Sequence, residues 1–431
     1  MIINPKKIDV LFFIEHIDRE LETAQEIVSV LKTKHNLKCV IASAIYHPVV
    51  CVLKTRPKII VTASTAFGVG SPGWLFFKSF KNPPVFINLN YEQFISSWKG
   101  KYKSAKHDIS LKSQIQLTWG TYFKNFLIET GTEGKNVIIT GRPLFSLLKK
   151  RYYNKNFKKE IAKKNNLDFN KKWNFIAFTD GLAFVTEKKV QYIVQSGANE
   201  KGLKNHINHV KGTIDEVLKW VNNMSEVSDE LFILRPHPSI SKDQYEELIK
   251  STLGLIPKNL IISKDYTAQK WMVSCEKFFT NYSTLTMDAR VLGIDFYILQ
   301  PLKKLESEDY WWCNNGFNIE NYDDFKNLIL KNDLVKLNMY ESKEDILDYI
   351  DLSKDGIIET SSTIFKMLPQ NNIYPKVSYY RFINSILKSP KRLLGSLLRL
   401  IFMSLRINSN SIVRKGISID YFNYKQLNND L

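Results

Sequence analysis

Leu231–Ser239 reads LFILRPHPS, and Phe278–Asp288 reads FFTNYSTLTMD. The first is an apolar run that ends in Arg-Pro-His-Pro. A proline cannot donate to a strand ladder, so two of them force the chain into a turn at the strand's carboxyl end. In an open α/β sheet that end is where ligands bind, and Arg235 and His237 arrive there with donors suited to an anion. The second segment repeats the pattern, with Asn281, Ser283 and Thr284 following an apolar run and preceding a helical stretch. Hydroxyls and unpaired backbone N–H groups at a helix start suit a phosphate. A cationic strand end beside a hydroxyl-lined helix start reads as a cradle for a nucleotide's phosphates. Taken singly, the first motif also reads as a plain strand-terminating turn, and Ser-Thr before a helix as an N-cap.

Working outward, short apolar runs alternate with helical patterns, the signature of parallel sheets wrapped by helices. Strands are expected at Ile8–Ile14, Lys38–Ser43, Lys58–Thr62, Val85–Leu89, Ile115–Thr118 and Val137–Thr140. A second series is expected at Trp173–Thr179, Leu231–Leu234, Leu260–Ile262, Lys277–Thr280 and Phe296–Leu299. Leu21, Ala24, Val28 and Leu31 recur at helical spacing and predict a crossover helix between the first two strands. Further helices are expected at Thr213–Asn223, Asp243–Ser251, Thr267–Cys275, Asp323–Leu330 and Lys343–Asp351. The Lys- and Asn-rich stretch Leu147–Lys172 reads as a linker with one short helix.

The loop after the first strand carries Glu15, His16, Asp18, Arg19 and Glu20, which read either as a functional cluster or as helix-capping acids. Gly68, Gly70 and Gly73 do not follow the first strand with dinucleotide-fingerprint spacing. The four cysteines show neither disulfide-framework nor metal spacing and suit a reducing compartment. No Asp-X-Asp metal motif appears, so the expected chemistry needs no metal and no cofactor beyond the donor. The N-terminal apolar run is too short for a signal peptide, and no apolar run reaches the roughly 18 residues of a membrane span.

The net charge is +18, of which +8 falls in Lys376–Leu431, where ten Lys and Arg face two Asp. Without zinc-finger or RNA-binding signatures, nucleic acid is not the expected partner. Within that tail, KSPKRLLGSLLRLIFMSLRI (Lys388–Ile407) places Arg392, Arg399 and Arg406 seven residues apart on one face. Leu and Ile cover most of the remainder, as in a helix lying in an anionic membrane interface. The alternative is a basic helix packed on the protein's own surface.

The chain resembles bacterial glycosyltransferases of the two-domain GT-B architecture that build surface polysaccharides, such as capsule, O-antigen and lipopolysaccharide. It looks closest to the family often labelled surface carbohydrate biosynthesis proteins. The resemblance rests on FFIEHIDREL, INLNYEQF, LTWGTYFKNFL, NVIITGRPLF, LRPHPS and NYSTLTMDA, in that order, and spans Ile8 to the mid-300s. It implies two Rossmann-like domains facing a cleft: 1–150 binding the acceptor and 173–370 binding a nucleotide sugar. These are joined by 151–172 and followed by a basic amphipathic tail, 376–431. Related sialyl- and Kdo-type transferases hold a CMP-activated acidic sugar with a His-Pro motif and a downstream Ser/Thr motif. By that likeness His237 and Pro238 contact the CMP phosphate and ribose, Ser283 and Thr284 bind the phosphate, and Asp288 holds a ribose hydroxyl. The loop Thr179–Gly181, with Asp180, is implied to face the cleft.

Those relatives often carry two acids and a glycine supplying the base. The local match here is Tyr91-Glu92-Gln93, which lacks the first acid and the glycine. Glu92 is therefore the expected base, with Glu20 and Asp18 in reserve. The implied acceptor is a lipid-linked or free oligosaccharide, met at the cytoplasmic face of the membrane. Two other readings stay open: a CDP-glycerol-type phosphotransferase using the same cradle, and a membrane-associated scaffold without catalysis.

Overall fold

The computed structural model describes residues 5–15, 20–63, 71–91, 93, 114–195, 198–237, 240–305, 310–331, 338–340, 349–371, 373–390 and 393–395. The chain forms two compact α/β units. In the first, β1 (Lys6–Ile14), β2 (Cys39–Ser43), β3 (Thr55–Thr62), β4 (Val85–Asn88), β5 (Ile115–Thr118) and β6 (Val137–Ile139) lie in the order β2-β1-β3-β4-β5-β6. All the pairings are parallel. The residues of β1 show why both faces need cover. Val10, Phe12 and Ile14 enter one apolar cluster, while Ile8, Leu11 and Phe13 enter another. Near-continuous apolar strands are what a parallel sheet buried on both faces requires.

The second unit repeats this plan with β7 (Trp173–Ile176), β8 (Leu231–Leu234), β9 (Leu260–Ile262), β10 (Lys277–Thr280), β11 (Phe296–Leu299) and β12 (Phe317–Ile319), ordered β12-β11-β10-β7-β8-β9. The chain builds outward from β7 through β8 to β9, then returns to the other side of β7 with β10. The topological switch therefore falls between β7 and β10, and such a switch opens a crevice at the carboxyl ends of the two strands. The helix Glu200–Val227 crosses between β7 and β8, capped by Asn199, whose side chain accepts the Gly202 N–H at 2.8 Å. Leu203, Ile207, Val210, Ile214, Val217, Val221 and Met224 are its buried stripe, at the three- and four-residue spacing of an amphipathic helix. It runs well beyond the expected Thr213–Asn223, because its first half hides that stripe among Lys, Asn and His. β12 was not expected; three residues carry no readable alternation.

Leu147–Lys172 is not a free linker. Pro143–Arg151 and Lys158–Asn165 are both helices. Buried Ile161 and Ala162 anchor the second. Lys158 Nζ lies 2.8 Å from Glu276 Oε1, and the Phe157 N–H donates to Ser274 Oγ at 3.0 Å. From Leu148 onward this segment belongs to the second unit.

The expected range 173–370 also needs correction, since the chain rejoins the first unit from Leu347 onward. The helix Gly356–Lys366, capped by Asp355, packs along Glu22–His35, and its Ile357 and Ile364 complete the first unit's core. Lys343–Asp351 falls mostly outside the described residues. The beginning of the basic tail is docked as well: the helix Tyr379–Lys388 lies against Pro72–Ser79, with Phe382 and Leu393 buried. Arg392, Arg399 and Arg406 lie outside the described residues. No helix among the described residues is long and apolar enough to cross a membrane.

Gly356 marks how closely the returning chain seats. A Cβ there would stand 2.6 Å from the backbone of Arg142 and Pro143, atoms that cannot swing away. Gly356→Ala should therefore cost about 1–3 kcal/mol by overpacking and lower the melting temperature by several degrees. Gly134→Ala, whose nearest neighbour is Ile128 Cδ1 at 3.6 Å, should melt like the parent. Equal melting of both variants would show that 349–371 does not dock as described.

Candidate functional site

The loops after β10, β7 and β8, three adjacent strands, converge in the second unit at its switch point. Beyond β7 the chain stays extended, and it is stitched to β10 by three hydrogen bonds. The Ala177 N–H donates to the Phe279 carbonyl at 3.0 Å, Thr280 Oγ1 to the Ala177 carbonyl at 2.6 Å, and the Thr179 N–H to Asn281 Oδ1 at 2.7 Å. Asn281 is thus the bridge between the Thr179 loop and the Ser283 turn.

On the other side of β7, Asp180 is fully buried. Its Oδ2 accepts the His237 N–H at 3.3 Å and the Tyr245 hydroxyl, which comes from the helix Lys242–Leu253. Among the described residues its Oδ1 meets no donor. Burial pushes the carboxyl up to about 6, while the Tyr245 hydroxyl, the His237 N–H and, more weakly, Lys264 pull it down. Tyr245 is in turn raised well above the ordinary tyrosine value by burial and by the adjacent carboxylate. Hydrogen bonds to a charged acceptor are worth about 1.5–3 kcal/mol each, so this clasp sets the turn after β8.

Its effect on His237 is specific. The backbone of His237 is held at both ends, its N–H by Asp180 and its carbonyl by the Ile240 N–H at 2.9 Å. The residue itself is exposed. A rigid backbone presenting an accessible imidazole is what ligand binding needs. Arg235 behaves differently from expectation. It is buried, and its Nε and Nη2 donate to the Tyr266 carbonyl at 3.3 and 3.2 Å, bracing the loop after β9. Lys264, from that same loop, donates to the Ile240 carbonyl at 2.9 Å and places a further cation beside the turn.

At the β10 end, Ser283 Oγ accepts the Leu285 N–H at 3.3 Å, at the start of the helix Leu285–Leu292. Thr284 occupies the N-cap position and makes no cap bond with its side chain. Both residues are partly exposed. Asp288 is buried on that helix and accepts from Gln269 Nε2 at 2.8 Å, so its carboxylate joins two helices instead of facing solvent. Pro238 lies outside the described residues. The structure therefore gathers Thr179, Asp180, Arg235, His237, Ser283 and Thr284 at one sheet end. Tyr245 went unread in the sequence because it occupies an ordinary apolar position of an amphipathic helix.

In the first unit, Glu20 is fully buried and its Oε2 accepts the Glu15 N–H at 2.7 Å. Glu92 and Asp18 lie outside the described residues. Gln93 next to Glu92 is fixed, donating to the Asn90 carbonyl at 3.1 Å and accepting the Trp119 N–H at 2.9 Å.

No protein-family model and no curated protein matches the sequence. Solved structures do match in fold. The wall teichoic acid polymerase TagF aligns over 85% of this chain and 90% of its own, at 14% identity and a TM-score of 0.52. A TagF variant with histidine replaced by asparagine, soaked with CDPG, gives 0.51 at 14% identity over the same shares. The UDP-GlcNAc 2-epimerase of Methanocaldococcus jannaschii, in complex with UDP-GlcNAc and UDP, covers 84% of this chain and all of its own at 11% identity and 0.49. The two parallel six-stranded sheets with their helices are a GT-B-like fold.

The clasp gives a pH signature. Because the folded-state carboxyl of Asp180 sits at about 6, above its ordinary 3.8, the native state holds the extra proton. The stability this adds is complete below about pH 4 and is lost as pH rises through about 6. Asp180→Asn cannot ionise, so its melting temperature should fall less than the parent's between about pH 4.5 and about pH 7.5. An equal fall in both proteins would place the titrating group elsewhere.

Proposed function

We propose that this chain is a nucleotide-dependent transferase of cell-surface glycan assembly that holds its donor's phosphate in the loops after β7, β8 and β10. The observation that carries this reading is the exposed imidazole of His237 on a backbone clamped by Asp180, at the switch point that also presents Ser283 and Thr284. Cleaving a sugar from a nucleoside monophosphate leaves a phosphate dianion, and donors fixed in advance around it stabilise that charge as it develops. A protonated imidazole also lowers the charge on the leaving phosphate. The donor class in this reading is a CMP-activated acidic sugar of the nonulosonic or Kdo type, and the acceptor is a glycan or lipid-linked hydroxyl. A carboxylate takes that hydroxyl's proton, and we assign it to Glu92. The bound structural role of Glu20 removes it from the front rank.

A second reading is favoured by one observation: TagF shares the fold at a TM-score above 0.5, and a histidine-substituted TagF has been soaked with CDPG. CDP-glycerol-type transfer would use the same cradle. In both cases the acceptor oxygen attacks and CMP departs. The bond that breaks is glycosidic carbon–oxygen in the first reaction and phosphorus–oxygen in the second.

Incubating the protein separately with CMP-linked acidic sugars and with CDP-glycerol, and following CMP release, separates the two. Release from neither donor overturns the cytidine assignment. His237→Ala should reduce turnover by on the order of a hundredfold with an unchanged melting temperature. A folded variant within about threefold of the parent would remove His237 from the cradle.

Glu92→Gln should abolish transfer while donor affinity holds. An active glutamine variant would shift the base to Asp18, whereas loss of donor affinity would make Glu92 part of the nucleotide site.

A further inference from the structure

Among the described residues, 374–390 and 393–395 pack on the rest of the first unit through one side. The Ser378 N–H donates to the Ser79 carbonyl at 2.8 Å, the Lys81 N–H to the Lys376 carbonyl at 3.0 Å, and Arg381 Nη1 to the Phe80 carbonyl at 3.3 Å. Phe382 and Leu393 are buried with Trp74, Phe76 and Phe80. The opposite side of the helix Tyr379–Lys388 is apolar and open to solvent. Tyr380 is 77% exposed, Ile383 55% and Leu387 68%. Spacings of three and four residues put these three side chains on one face. Tyr379, the residue before them, is 62% exposed, and Leu394 is 47% exposed. Of the sixteen exposed large apolar side chains among the described residues, six lie between 373 and 394. Scattered exposed apolar residues need no explanation, but a contiguous row on a docked helix marks a surface with a partner.

Charge identifies the partner's chemistry. From Thr360 to Ile419 the sequence has ten Lys and Arg and no Asp or Glu. A protein partner would find complementary acids for some of these cations. A row of apolar side chains inside a wholly cationic stretch instead matches an anionic lipid surface, where the apolar row enters the acyl boundary and the cations meet the headgroups. Tyrosine suits the junction, with an apolar ring and a wet hydroxyl. We propose that the solvent-facing row Tyr380, Ile383 and Leu387 is the protein's docking face for an anionic membrane surface. Because the helix is fixed to the first unit, the face holds that whole unit at the membrane instead of tethering it by a loose tail. This proposal is independent of the donor chemistry and fails or stands apart from it.

The test uses the full chain with vesicles of phosphatidylcholine alone or mixed with phosphatidylglycerol. The parent should co-sediment with the phosphatidylglycerol vesicles, less so at high salt as screening shortens the reach of the charges, and not with phosphatidylcholine alone. The triple substitution Tyr380→Ser, Ile383→Ser and Leu387→Ser should weaken attachment by at least tenfold while leaving the melting temperature unchanged, since these side chains make no core. Equal sedimentation of parent and variant overturns the proposal. So does a parent that ignores anionic vesicles. A variant several degrees less stable would show the row covered by the chain's own residues 396–431. A parent dimer that dissociates in the variant would make a second copy the occupant.

Discussion

The second unit depends on one buried carboxylate. Asp180 leaves the end of β7 and binds the backbone of the neighbouring turn at His237 and the hydroxyl of Tyr245 from the following helix. A charge in a low-dielectric interior is costly unless it is bonded, and here the bonding does positional work. The carboxylate ties β7's loop to β8's loop, while Asn281 ties β7's loop to β10's. The three strand ends become one rigid rim whose exposed members, His237, Ser283 and Thr284, are side chains able to donate to phosphate.

The two units carry different chemistry at their strand ends. The first holds a buried ladder of amides, in which Asn90 Nδ2 donates to Gln116 Oε1 at 3.1 Å and Asn88 Nδ2 donates to Gln114 Oε1. The second presents imidazole, hydroxyls and a helix start, with Lys264 close by.

Much of this was legible before any coordinates. Strands such as Leu231–Leu234 and Lys277–Thr280 form over the residues expected, because buried parallel strands are compact apolar runs ended by proline or polar turns. The convergence of the RPH and NYST turns was legible too, since both follow such strands. Other features were hidden for physical reasons. The roles of Arg235 and Asp288 depend on which way a buried side chain turns, and both turn inward to a carbonyl and an amide. The return of Gly356–Lys366 to the first unit is a long-range contact with no local sign. The start of the tail reads as amphipathic in sequence, yet only packing shows that its Phe382 side is occupied while its Tyr380 side is open.

The central claim is that this rim recognises a nucleotide by its phosphate. Calorimetric titration of the full chain with cytidine and with CMP tests it most directly, repeated on the double substitution Ser283→Ala, Thr284→Ala. The account predicts that CMP binds at least tenfold more tightly than cytidine to the parent, and that the double substitution removes most of that advantage. Equal affinity for the two ligands in the parent, or an advantage untouched by the substitution, would contradict it.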